Sequence, residues 1–144
     1  MENIQATAVA VNGKGVLLRG PSGSGKSDLA LRLIDRGAIL IADDTVAADP
    51  QSGNVSLAPP ATIAGMLEVR GAGLAKFDYA ADVPLALVVD LVPGGKVERM
   101  PEPRETSICG CKVPVIKLDG LQPSAPIKVE MALAAIAGGL ELVQ

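Results

Sequence analysis

Gly20-Pro21-Ser22-Gly23-Ser24-Gly25-Lys26-Ser27 fills every fixed position of the GxxxxGK[ST] phosphate-binding pattern. The glycines allow backbone amides to turn inward on phosphate oxygens, and a helix starting at the lysine adds positive potential at the same place. Lys26 is spaced to reach the β- and γ-phosphates, and the Ser27 hydroxyl to serve as a Mg²⁺ ligand. ATP or another polyphosphate, with Mg²⁺, is the implied ligand. One short helix later come Asp43 and Asp44. One of them could hold Mg²⁺, directly or through water, while the other takes a proton from an attacking hydroxyl. The plain alternative is a turn pair that caps a strand.

Other chemistry-bearing residues are sparse. The chain has two cysteines, Cys109 and Cys111, and no histidine. Zinc takes four ligands, so ordinary strand or loop cysteines are the expectation, with no metal of their own.

The elements that must position the loop read as follows. Ile4 to Val11 and Gly15 to Arg19 are two strands, joined at Asn12-Gly13, both of which tolerate positive φ. A helix runs from about Lys26 to Arg36, with Leu29, Leu33 and Ile34 at helical spacing and Gly37 as its stop. Ala38 to Ala42 is a short buried strand that ends at the aspartates. Thr45 to Ala48 and Val55 to Ala58 form a hairpin about Asp49-Pro50 and Gly53-Asn54. "MLEVRGAGLAKFDYAAD" runs from a strand into a glycine-containing loop, and Pro84 to Val92 is a further strand. Lys96 to Gly110 reads as a mobile loop, Val113 to Leu118 as the last strand, and Pro126 to Leu142 as a closing helix. That helix is apolar on more than one face, so it is either buried centrally or covered by another subunit.

At 144 residues the chain is expected to be one domain that buries roughly 68–70% of its unfolded surface. Phe77 and Tyr79 are its only aromatics, so aliphatic residues must build the core, and no aromatic platform for bases exists. A formal charge of −3 without any basic run argues against nucleic-acid binding. No signal peptide and no apolar run of about 18 residues is seen, so no membrane is expected and the cytoplasm is the expected location.

Seven stretches in order resemble the catalytic domain of the HPr kinase/phosphorylase family: "GPSGSGKSDLAL", "RGAILIADDTV", "APP", "LEVRGAGL", "LALVVDL", "VERMPE" and "KVPVIKL". They extend from about Ile4 to Leu118, and "LEVRGAGL" after the loop and "ADD" is far more specific than the loop alone. The resemblance implies an α/β phosphate-loop domain like that of phosphoenolpyruvate carboxykinase. It would have a mixed parallel and antiparallel sheet, a phosphate-loop helix and a C-terminal helix. It implies a Mg²⁺- and ATP-dependent kinase for a serine of the phosphocarrier protein HPr. The same site would remove the phosphate with inorganic phosphate, giving pyrophosphate.

Position by position, Lys26 and Ser27 match the phosphate and Mg²⁺ residues, Asp43 the general base and Asp44 its partner. Glu68 matches a magnesium ligand, Arg70 a charge stabiliser and Arg99 a mobile-loop arginine. Val113 to Lys117 matches a segment linked to dephosphorylation. Without the family, Glu68 and Arg70 read as a surface ion pair, and Arg99 as a solvated loop charge. A homo-oligomer, a hexamer by resemblance, is implied.

The chain departs from the family at several points. It resembles the short form, lacking an N-terminal domain; the loop after Gly73 is short, and Gln5 stands where the family has a histidine. Two rival functions follow from the residues. One is a small-metabolite kinase, which the leading antiparallel hairpin disfavours. The other is an ATP-binding regulatory module that transfers nothing, with a signalling histidine kinase as partner.

Overall fold

The computed structural model describes residues 1–143. Its strands are β1 (Glu2–Ile4), β2 (Thr7–Val11), β3 (Lys14–Arg19), β4 (Ile39–Ala42), β5 (Val46–Gln51), β6 (Asn54–Ala58), β7 (Met66–Val69), β8 (Gly73–Lys76), β9 (Val83–Leu91), β10 (Arg104–Ile108) and β11 (Cys111–Leu118). The helices are α1 (Lys26–Asp35) and α2 (Ala125–Ile136). Among the described residues, nine strands form one mixed sheet in the order β1-β5-β6-β9-β3-β2-β4, with β11 also on β9 and β10 on β11. β7 and β8 make a separate hairpin.

β9 is the hub. It runs parallel to β3 along one edge; on the other it meets β6 near its start and β11 near its end. The register with β3 slips between Gly15↔Leu85 and Val16↔Leu87, so Ala86 is a bulge. The bulge reverses which face the alternate residues address. Val83 and Leu85 lie in the same apolar cluster as Val88, whereas Leu87, Val89 and Leu91 lie in the other.

That second cluster is the layer between sheet and helices. Leu29, Ala30 and Leu33 of α1 and Val129 and Leu133 of α2 pack on Val16, Leu18, Leu87 and Val89. Burying each such leucine contributes about 1.5–3 kcal/mol, and truncating one costs about 2–5 kcal/mol. The first cluster fills the inside of the curled sheet, where Leu17, Ile41, Val46, Leu57 and Val88 meet. α1 stops where expected: the amides of Gly37 and Ala38 return to the carbonyls of Ile34 and Leu33.

The Asn12-Gly13 hairpin stands as expected, with φ of 51° and 79°. Six expectations are corrected. Ile4 to Val11 is not one strand: the chain breaks at Gln5-Ala6, because β1 pairs with β5 while β2 pairs with β3 and β4. The β5–β6 strands run through Asp49-Pro50, and the turn tightens to Ser52-Gly53. "LEVRGAGLAK" is a full hairpin rather than a strand and a loop.

Lys96 to Gly110 is not loop throughout, since Arg104 to Ile108 is strand β10. It was hidden by its charged residues, which suit an edge strand bound on one side only. Finally, α2 ends at Ile136, not Leu142, because the Gly138 and Gly139 amides close onto the Ala135 and Ala134 carbonyls. Nor is α2 central: Val129 and Leu133 face the sheet, while Ile127, Met131 and Ile136 are exposed.

Candidate functional site

β3 delivers the chain into the glycine-rich loop and α1 carries it away, the strand–loop–helix context that the motif requires. Gly25 bends the chain with φ of 96°, and the first helical bond runs from the Leu29 amide to its carbonyl. The Lys26 ammonium donates to the carbonyls of Gly20 (2.6 Å) and Pro21 (3.2 Å), so it lies across the loop's mouth. Ser24 Oγ is buried without a hydrogen-bond partner and points beneath Gly20. A buried hydroxyl with nothing to bond is costly and calls for an explanation.

Asp43 leaves β4 at the same end of the sheet. Its Oδ1 accepts from the Ser27 hydroxyl at 2.7 Å and from the Thr7 hydroxyl at 2.9 Å. Its Oδ2 accepts from the Glu68 backbone amide at 3.2 Å. Three separate parts of the chain therefore aim one carboxylate at the loop's terminal serine. A carboxylate offers about four lone-pair directions, so Oδ2 keeps one for a proton or a cation.

Asp44 is exposed and held at φ of 69°, with its carbonyl accepting from the Ala6 amide at 3.2 Å. That bond sets Gln5, exposed at the β1–β2 break, next to the two aspartates in the backbone.

Glu68 is exposed on β7, opposite Leu74, and Arg70 is exposed in the turn of that hairpin. The structure brings Glu68 to Asp43 through the backbone amide. Among the described residues Glu68 and Arg70 form no ion pair, contrary to the surface-pair alternative. Arg99 is exposed on the stretch between β9 and β10, where it donates to the Met100 sulfur at 3.8 Å. It is not gathered to the loop. Val113 to Lys117 lies in β11, with Lys117 exposed.

Three sets of supporting residues escaped sequence reading. Arg19, immediately before the loop, makes a bidentate pair with Asp90 of β9 at 2.7 and 3.0 Å and reaches Thr106 of β10. The visible signal was an aspartate closing the apolar run "LALVVD". Arg32 of α1 donates to the carbonyls of Gly120 and Gln122 and to Asp28. Thr7, fully buried at the start of an otherwise apolar strand, had a signal too: a lone hydroxyl at an inward position.

The cysteines sit far from this site, at the β10–β11 turn. The Cys109 thiol donates to Glu2 at 3.2 Å; burial first, and that carboxylate second, raise its pKa. Among the described residues no three cysteine, aspartate or glutamate side chains are grouped to hold a metal ion. Any cation at Ser27 and Asp43 would thus be shared with phosphate oxygens, which is how Mg²⁺ binds, and the hard oxygen donors here suit it.

Comparison with known proteins identifies the family. Residues 1–137 match the family model described as HPr Serine kinase C-terminal domain. The chain belongs to that family. An HPr kinase/phosphorylase of Lacticaseibacillus casei (strain BL23) is 35% identical over 146 residues, covering 93% of this chain and 44% of that protein. One from Clostridium tetani is 41% identical over 88 residues, or 61% of this chain and 28% of that protein. The chain thus spans less than half the length of these relatives. The solved structure of the Hpr(Ser) kinase/phosphatase from Coxiella burnetii superposes with a TM-score of 0.81 at 24% identity, covering 96% of this chain and 91% of that one. The family domain's mixed sheet and closing helix are therefore those seen here. No helix among the described residues is long and apolar enough to cross a membrane.

Proposed function

We propose that this domain is a Mg²⁺-dependent protein-serine kinase and phosphorylase acting on HPr in the cytoplasm. The observation that carries the reading is the Ser27–Asp43 hydrogen bond, which puts a carboxylate at the transferring end of the phosphate cradle. Family membership supplies the substrate class.

In the forward direction the loop amides bind the polyphosphate of ATP, and Lys26 exchanges its contacts with Gly20 and Pro21 for phosphate oxygens. Ser24 Oγ gains an acceptor in the same rearrangement, which accounts for its lack of one otherwise. Ser27 Oγ, Asp43 and Glu68 are the residues that would hold Mg²⁺, which when bound would supply positive charge to the phosphate oxygens. The HPr seryl oxygen forms its bond to the γ-phosphorus as the bond to ADP breaks. The seryl proton passes to Asp43 Oδ2, and Asp44 stands beside it as the second carboxylate.

Arg70, in the turn of the β7–β8 hairpin, neutralises charge on the moving phosphoryl group; Arg99 lies apart from the loop and shares that role only if its segment moves to the site. In reverse, an oxygen of inorganic phosphate forms a bond to the phosphoserine phosphorus as the bond from that phosphorus to the serine oxygen breaks; pyrophosphate carries the new bond, and Asp43 returns a proton to the departing serine oxygen. The exposed Ile127, Met131 and Ile136 of α2 favour a homo-oligomer, for which light scattering is the check.

The test is to incubate the domain with ATP, Mg²⁺ and purified HPr, then weigh HPr by mass spectrometry. Gain of one phosphoryl group, lost in Lys26→Ala, is expected. Tight ATP binding with HPr unmodified would replace this reading with the regulatory module.

A further inference from the structure

The polyphosphate has two ends, and the topology assigns them to opposite sides of the loop. β3 lies between β2, which leads to β4 and Asp43, and β9, which leads to β11. The transferring end faces Ser27 and Asp43, on the β2–β4 side. The opposite side of β3 carries β9 and β11, so the other end of the polyphosphate would leave toward the turn that follows β11, Asp119 to Gln122.

That turn is built against the loop. A Cβ on Gly120 would come within 2.8 Å of both the Ser24 carbonyl oxygen and Leu91. A Cβ on Gly25 would come within 2.9 Å of Leu121 Cδ2. The Gly120 position therefore requires glycine for close approach to the loop backbone, while the Gly25 position requires it for its φ of 96° and lies directly under the Leu121 side chain. Arg32 then holds the turn on both sides of Leu121, donating to the Gly120 carbonyl and, at 2.8 Å, to that of Gln122. Asp119 Oδ1 accepts from the Leu121 amide at 3.0 Å. Three backbone groups in the Gly120–Gln122 segment are thus fixed by side chains, yet the leucine between them is 65% exposed. A leucine whose backbone is clamped this firmly, and whose side chain stays in water against the phosphate cradle, is a preformed apolar platform.

We propose that Leu121, held by Arg32, is the platform for the nucleoside end of the nucleotide, taking the flat face of the base or the ribose ring. This rests on the phosphate-loop reading given above. With Phe77 and Tyr79 as its only aromatics, the chain relies on an aliphatic surface for this contact. Leu121 makes the difference between a nucleotide and a bare inorganic polyphosphate as ligand; the loop itself serves both alike.

The experiment is calorimetric titration of ATP and of inorganic tripolyphosphate, each with Mg²⁺, into the wild type, Leu121→Ser and Leu121→Met. Leu121→Ser is expected to weaken ATP about tenfold, the loss of one well-placed apolar contact, and to leave tripolyphosphate within about twofold. Leu121→Met, which restores apolar bulk, should bind ATP nearly as the wild type does. Equal weakening of both ligands would mean that the residue only shapes the loop, and unchanged ATP binding would mean that no platform exists. Either result overturns the proposal while sparing the phosphate loop. If the wild type binds neither ligand, the phosphate-loop reading falls and the platform falls with it.

Discussion

The Ser27 hydroxyl donates to Asp43 Oδ1 across 2.7 Å, tying the last residue of the glycine-rich loop to the end of β4. Among the described residues Asp44, its neighbour, carries no such tie, and it is exposed. The two aspartates are therefore separable by substitution. Asp43→Asn is expected to lower phosphoryl transfer to HPr by about 10²–10⁴-fold while ATP still binds, because an amide keeps the shape but takes no proton at neutral pH. Asp44→Asn should cost less. A greater loss of turnover in Asp44→Asn, with Mg²⁺ affinity unchanged, would move the base to Asp44.

Arg19 and Asp90 join β3 to β9 directly before the loop, each side chain 30% exposed. Replacing Asp90 with Ala leaves the guanidinium half-buried with only Thr106. A destabilisation of about 1–2 kcal/mol is expected, or about 3–8 °C in the thermal midpoint. A double-mutant cycle with Arg19→Met measures the coupling, and its absence would show the pair to be energetically idle.

Gln5 can donate and accept hydrogen bonds but does not ionise. It lies beside Ala6, whose amide bonds the Asp44 carbonyl. An imidazole here has an ordinary pKa of about 6.5, so Gln5→His should add a titrating limb between about pH 6 and 7 to the pH–rate profile. The effect should be larger on phosphorolysis than on the kinase direction. Superimposable profiles would show that the residue at position 5 does not reach the carboxylates.

Burial and Glu2 hold the proton on Cys109. The folded thiol thus has the higher pKa, so its contribution to stability is complete below the unfolded value of about 8.5 and is lost as pH rises through the folded one. Alkylation of Cys109 in a Cys111→Ser background should therefore have its inflection above the ordinary thiol value. Glu2→Gln should lower that inflection. An unchanged inflection in Glu2→Gln would leave burial as the sole cause.

The loop–helix unit and the Asn12-Gly13 hairpin were legible in the residues because each is encoded by neighbours in the chain. A glycine spacing, a helical repeat of leucines and a turn dipeptide act over a few positions. The candidate residues Lys26, Ser27 and Asp43 were legible for the same reason. What each touches was not. Thr7, Ser27 and the Glu68 amide meet on Asp43 only because the start of β2, the loop and the separate β7–β8 hairpin come together at the end of β4. Arg19 finds Asp90 because β9 lies parallel to β3, in a register that shifts at Ala86. β10 is a strand because β11 offers it an edge, whereas its own residues read as loop. These relations depend on strand order and register, which follow from how two apolar clusters fill the two faces of one curled sheet. No single stretch of the chain carries that information.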